Sequence, residues 1–166
     1  MNSRRTQVEE WYEQHGRALL AYAVSLVEDI ATAEDLLHQL FLRLLDDRRI
    51  RPVEIRPYLF RAMRNAAFNS RRTIGKKVPL EEQELWLDAP ASLMEAGLTL
   101  QRGLCELPPE QREVIVMRIW GEMKLEEIAS ILEIPMNTVA SRYRYGIARL
   151  RERLGVQQEE KCNEPR

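Results

Sequence analysis

Apolar residues along this chain recur at intervals of three and four rather than two, which predicts helices throughout. Between Gln7 and Val27, the positions Val8, Trp11, Tyr12, Leu19, Tyr22, Ala23, Leu26 and Val27 mark one face of an amphipathic helix. A second helix is predicted from Thr32, a good N-cap with Asp35 three residues on in a variant of the capping box. It carries Leu36, Leu37, Leu40, Phe41, Leu44 and Leu45, a stripe wide enough for two contacts, one to the chain's own core and one to another body. On that reading Leu36, Leu40 and Phe41 do not all face the core if Asp35 and Gln39 face a partner. After the basic loop Arg48-Arg49-Ile50-Arg51-Pro52, Pro57 suits the first turn of a third helix running from Tyr58 to Arg72.

The period then breaks. Residues 76–91, with Pro79, Pro90 and an acidic run, read as a linker. Ser92 with Glu95 forms a further capping box for a helix reaching about Glu106. Pro108-Pro109 opens the next helix, which Gly121 ends. Leu125–Leu132 and a last helix from about Asn137 to Leu154 follow, and the tail 156–166 reads as disordered. The expected fold is all-α: two small helical domains, 1–75 and 92–155, joined by the linker.

The segment from Leu125 onward has the helix-turn-helix pattern. Ile128, Ala129 and Leu132 share one face, with Ala129 small where a second helix crosses closely. Ile134 plugs the turn, Pro135 stops the first helix and Asn137 can cap the second. Val139, Tyr143, Ile147, Leu150 and Leu154 form the buried side of that second helix. Its outward residues, Thr138, Ala140, Ser141, Arg142, Arg144 and Tyr145, suit base edges and phosphates in a major groove. Two positions depart from the pattern: Glu133 stands where a small turn residue is usual, and Lys124 where a Ser or Thr cap would stand.

Charge sharpens the picture only through its distribution. The 166 residues hold 25 Lys+Arg against 26 Asp+Glu, net −1, so bulk charge names no partner. Yet from Arg48 to Lys77 the only acid is Glu54, and from Asn137 to Gly155 Arg142, Arg144, Arg149, Arg151 and Arg153 face Glu152 alone. Two basic elements, one per half and each beside polar-aromatic residues, favour nucleic acid. In the third helix, aromatics interleave with Arg61, Arg64, Asn65, Asn69, Arg71 and Arg72, the combination that stacks and neutralises single-stranded bases. Phe60, Met63, Ala67 and Phe68 are read as core, and the loop arginines with Asn65 as functional.

Two cysteines, Cys105 and Cys162, make neither a disulfide scaffold nor a four-ligand zinc site, and His15 and His38 add little. No metal and no cofactor is expected. No nucleophile, base and orienting group cluster by any recognised motif, and no glycine-rich phosphate loop appears, so an enzyme is not expected. With no apolar signal core and no run of about 18 apolar residues, a reduced, soluble, cytoplasmic protein without membrane insertion is expected.

Together the two halves resemble bacterial RNA polymerase sigma factors of the extracytoplasmic-function group, those of the sigma-70 family with regions 2 and 4 only. AEDLLHQLFLRLL is similar to the core-polymerase-binding helix of region 2, and PYLFRAMRNAAFNSRR to the following helix, which engages the −10 element. LPPEQREVIVMRIWGEMKLEEIASILEIPMNTVASRYRYGIARLRERL resembles region 4 with its −35-reading helix-turn-helix. The resemblance implies a protein that binds core RNA polymerase and directs promoter recognition, melting and transcription initiation, with catalysis left to the polymerase. It implies core docking through Asp35, Leu36, Gln39 and Phe41. It assigns the single-stranded −10 element to the loop Arg48–Arg56, with Arg51, and to Tyr58, Arg61, Asn65 and Asn69. The duplex −35 element falls to Thr138, Ser141, Arg142, Arg144 and Tyr145. It also implies an anti-sigma factor as a partner that wedges between the halves. The chain departs from the family at His38-Gln39, where Gln-Glu is frequent, at Asn69, where an acid is frequent, and at Ala140, where lysine is common. The alternative is a stand-alone helix-turn-helix regulator; the N-terminal half lacks the strand-and-acid phosphoacceptor pattern that such regulators often carry.

Overall fold

The protein is described by a computed structural model that covers residues 3–71 and 94–155. The linker over 76–91, the capping box of Ser92 with Glu95, Arg72 and the tail 156–166 lie outside the described residues. Seven helices and no strand occur among those described: α1 (Ser3–Val27), α2 (Ile30–Asp46), α3 (Ile55–Arg71), α4 (Met94–Cys105), α5 (Pro109–Ile119), α6 (Leu125–Leu132) and α7 (Met136–Arg153).

Local chemistry sets where these helices begin and end, at two starts differently from the sequence pattern. The cap of α2 is Asp29, not Thr32: its carboxylate accepts the Thr32 backbone N–H at 2.7 Å and the Thr32 hydroxyl. An ionised acceptor at a helix start also meets the positive end of the helix dipole, so Asp29 outcompetes a hydroxyl three residues later. For α7 the capping residue is Pro135, whose fixed φ of −58° presets the entry, and Asn137 is an exposed first-turn residue with no capping role. At α6 the missing Ser/Thr is replaced from inside the helix, because Glu127 reaches back to accept the Lys124 N–H at 2.8 Å. Pro109 opens α5 as the pattern required.

Three glutamates hold the left-handed conformation in which helices commonly terminate: Glu28 (φ 59°) after α1, Glu122 (φ 52°) after α5 and Glu133 (φ 56°) after α6. Gly121 follows directly on the end of α5, as expected, with its N–H bonded back to the Val116 carbonyl at 3.2 Å, and it serves a second purpose. A Cβ there would lie 2.5 Å from the Met117 carbonyl and 3.1 Å from Phe60 Cζ, so glycine lets the chain pass close to the other half of the molecule.

The core is continuous across both halves. α2 and α3 pack on α1, and so does α5, so Ala21 to Val27 is buried on every side rather than along one stripe. Towards its start α1 is open: Trp11 is half-buried, and Tyr12 is exposed with its ring edge-on to Phe41 at 5.0 Å. Helix α5 is buried from Arg112 to Met117 because α1 covers one side while α6 and α7 cover others. Gly146 permits the α5–α7 crossing, since a Cβ there would come within 2.7 Å of Ile115 Cδ1. Phe60, Met63 and Ala67 are core as read, but Phe68 is exposed, with the Arg64 guanidinium 4.6 Å over its ring.

Glu133 gives a direct test of the strained turn. A side chain in the left-handed region costs about 1–2 kcal/mol, partly offset by the entropy glycine loses on folding. Glu133→Gly is expected to raise stability by about 0.5–1 kcal/mol in urea unfolding. Destabilisation would show that Glu133 makes a compensating contribution through its side chain.

Candidate nucleic-acid interface and polymerase-docking face

Helix α2 spends one stripe on the core. Leu36, Leu37, Leu40, Phe41 and Leu44 all turn inward, while Asp35, His38, Gln39 and Arg43 are exposed. Of the stripe only Leu45 is left outward: Leu36 and Phe41, read as docking residues, are only 8% and 5% exposed. Positions 36, 37, 40, 41 and 44 fall on one helical face, which α1 and α3 cover together: Leu36 and Leu40 also form the floor of the groove against α3, and Phe41 meets Tyr12 of α1. The apolar side chains that α2 presents outward are Leu42, 58% exposed, and Leu45. Sequence reasoning missed Leu42 because its neighbours masked it in the leucine run.

A groove of about 400 Å³ runs between α2 and α3. Gln39 and Arg43 line it from α2, and Tyr58, Arg61, Asn65 and Asn69 line it from α3. The α3 residues share a face because they are spaced by three and four. Gln39, assigned from the sequence to docking, therefore shares a groove with the residues assigned to single-stranded DNA, and Arg43 joins them unforeseen. Arg48 and Arg51 are exposed in the loop between α2 and α3.

The C-terminal half covers the flank of α3. Arg56 donates to Glu127 Oε1 at 2.8 Å and to the Glu122 carbonyl at 3.4 Å, and Arg61 donates to the Ser130 carbonyl at 3.3 Å. Deeper in, Arg64 Nε and the Tyr22 hydroxyl both donate to Glu113 Oε1, at 2.9 and 2.8 Å. Arg112, nearly buried, reaches Glu28 from the opposite direction. Burial first, and then the Glu113 carboxylate, hold the Tyr22 phenol well above the usual tyrosine value, against the opposing effect of Arg64. Glu127 is held below the usual carboxylate value, first by the Lys124 N–H and with Arg56 contributing. His15 is lowered by burial and then by the charge of Arg56.

At the start of α7, Thr138, Ser141 and Arg142 are half-buried, whereas Arg144 and Tyr145 are exposed, with the Arg144 guanidinium 5.0 Å over the Tyr145 ring. Arg142 lines an inter-half concavity together with Arg64, Phe68, Arg71, Glu110 and Glu113. The expected −35 residues thus share one helix start, but Arg142 faces α3 as well as solvent. No helix among the described residues is long and apolar enough to cross a membrane.

Comparison with known proteins bears directly on this arrangement. The family description Sigma-70 region 2 matches residues 11–76, and Sigma-70, region 4 matches residues 98–150. The RNA polymerase sigma-E factor of Streptomyces coelicolor is 31% identical over 155 residues, covering 89% of this chain and 86% of that protein. The ECF RNA polymerase sigma factor SigM of Bacillus subtilis is 25% identical over 154 residues, covering 89% and 92%. Among solved structures, the sigma factor RpoE in complex with the anti-sigma factor NepR from Bartonella quintana superposes with a TM-score of 0.72 at 21% identity, covering 90% of this chain and 98% of that one. CnrH in complex with the cytosolic domain of CnrY gives a TM-score of 0.60 at 24% identity, covering 91% and 89%. Both support the fold. Helix-turn-helix and arginine-lined helices in this order define a DNA-binding protein of the sigma-70 class. Within that class the chain belongs to the extracytoplasmic-function RNA polymerase sigma factors, and it binds core polymerase and directs promoter recognition.

The Tyr22–Glu113 bond joins the two regions, and removing it has a defined signature. Tyr22→Phe is expected to cost about 1.5–3 kcal/mol at neutral pH, since the lost bond goes to a charged acceptor. The folded chain holds the phenolic proton above the usual value of 10.0, so stability is intact below that pH and falls as pH rises beyond it. Urea unfolding of both proteins at neutral and alkaline pH checks this: Tyr22→Phe should lose part of the alkaline decline.

Proposed function

We propose that the sigma-factor tasks divide along the helices. Residues 1–75 dock core polymerase and hold the −10 element, and residues 92–155 read the −35 element. Asp35 and Gln39 meet the polymerase, with Leu42 as the apolar contact between them and the helix end, while Leu36 and Phe41 hold α2 in place from beneath. Arg48 and Arg51 of the loop, Arg56, which lies in the first turn of α3 and not in the loop, and the face of Tyr58, Arg61, Asn65 and Asn69 take single-stranded −10 bases. Thr138, Ser141, Arg142, Arg144 and Tyr145 meet the −35 duplex. The observation that carries this reading is the groove between α2 and α3, which gathers arginines, amides and an aromatic ring on one open surface.

The chain acts as a specificity subunit in the cytoplasm, and the polymerase performs the chemistry. Two structural relatives are held by the anti-sigma factor NepR and by CnrY, which supports a protein antagonist of that kind for this chain too. In the closed arrangement Arg56 and Arg61 are bound within the chain, and the free protein is net −1. Both limit the counterion release available for DNA binding. The free protein should therefore bind promoter DNA weakly and with strong salt dependence, and open it only together with core polymerase.

Fluorescence anisotropy on promoter duplex with and without core, with permanganate footprinting of unpaired thymines, tests this reading. Tight binding as a free homodimer to a palindromic site would replace it with the stand-alone regulator. Arg142→Ala is expected to cost about 1–3 kcal/mol and relax one −35 position, as for loss of a bidentate guanine contact. Asp35→Ala combined with Gln39→Ala should leave circular dichroism unchanged and weaken capture by core polymerase.

A further inference from the structure

A single side chain ties the arginine loop between α2 and α3 to the beginning of α1. Arg4 Nε donates to the Leu44 carbonyl at 2.9 Å, and Arg4 Nη2 donates to the Ile50 carbonyl at 3.0 Å. Leu44 belongs to the last turn of α2, where carbonyls lack an intrahelical partner, and Ile50 lies in the loop itself. One planar fork therefore fixes the angle at which the loop leaves the helix. The guanidinium in turn lies 5.2 Å over the Trp11 ring, which sets its plane.

The turn is also organised from within. Asp47 Oδ1 accepts the Arg49 N–H at 3.0 Å, and the Asp47 carbonyl accepts the Ile50 N–H at 3.2 Å. Residues 47–50 thus form a closed turn of their own, and Arg4 determines where that turn points. It points Arg48 and Arg51 into one concavity of about 480 Å³, shared with Arg4, Gln7, Trp11 and Pro52. Every charged residue lining it is an arginine, which suits the phosphate of a displaced nucleotide.

We propose that Arg4 is a positioning residue for −10 base capture, acting through the loop rather than on the base. This rests on the reading of Arg48–Arg56 as the base-catching loop, and extends it to a residue on a different helix, outside both the loop and α3. Arg4 has both carbonyls and an aromatic plane as partners, whereas Arg48 and Arg51 carry the anion-facing charge. A lysine at position 4 reaches one carbonyl at a time and cannot bridge both.

The test uses holoenzyme assembled from core polymerase and the full chain, on promoter DNA carrying 2-aminopurine in the −10 element. Arg4→Ala is expected to lower the base-capture equilibrium about tenfold, because both bonds that orient the loop are lost while the loop's own turn remains. Core affinity, −35 preference and helical circular dichroism should stay as in the unaltered protein, and Arg4→Lys should fall between. Arg48→Ala combined with Arg51→Ala is the control on the loop itself. If that double variant loses capture while Arg4→Ala retains it, the positioning role is overturned and the loop reading stands. If neither changes capture, both are overturned. A fall in core affinity or −35 binding matching the fall in capture would make Arg4 a general structural residue and overturn the proposal. Should Arg4→Ala not fold, the same comparison with Arg4→Lys decides.

Discussion

The carboxylate of Glu113 is the constraint around which the two regions are arranged. It sits on α5 at 7% exposure, and the two side chains that donate to it, Tyr22 and Arg64, come from α1 and α3. A buried carboxylate stripped of a partner costs about 3–5 kcal/mol, so α5 is stable in this position only against the N-terminal half. The driving force for packing is apolar, from the buried faces of α1 and α5 and from Phe60 against Gly121, because a buried ion pair yields little net energy. The charges set the register. Arg112 reaching Glu28 repeats the arrangement with the signs exchanged, so the N-terminal half supplies the counter-charge for both charges that α5 has buried.

The interface is not equally strong along its length. At the start of α3, Arg56 pairs with Glu127, both about a third exposed, and Glu127 retains the Lys124 N–H if that pair separates. Solvent can replace such a pair at small cost. At Glu113, separation uncovers a phenol and a carboxylate that water must then solvate, along with the apolar surface around them. Opening is therefore easiest at the start of α3 and hardest near Tyr22, in the last turns of α1.

Much of this was legible in the amino-acid sequence, for physical reasons that also explain the exceptions. Helix periodicity is local, and it located α1, α2, α3, α5, α6 and α7 to within a few residues. The resemblance to sigma factors rested on motifs that family comparison and fold both support. The choice between Thr32 and Asp29 as cap depended on Glu28 adopting a left-handed conformation, which composition does not announce. The inward turn of Leu36 and Phe41 depended on the phase of the stripe relative to α1, a tertiary quantity. Tyr22 read as an ordinary core aromatic, and its partnership with Glu113 spans 91 residues of sequence separation. The contact between halves was invisible for the same reason: it is made of residues that each look like routine core or routine surface.

The continuous core also governs how the molecule comes apart. Ala21 to Val27 is enclosed by helices from both regions, so its amide hydrogens exchange with solvent only through an event that disturbs both. The backbone of this short stretch thus reports on region 2 and region 4 together, and its exchange rate becomes a gauge of how firmly the two are clasped. A cut between the regions would leave Tyr22 and Phe60 on a newly bared apolar surface, making each half adhesive. The division between the two family matches is, in the free protein, no boundary of stability.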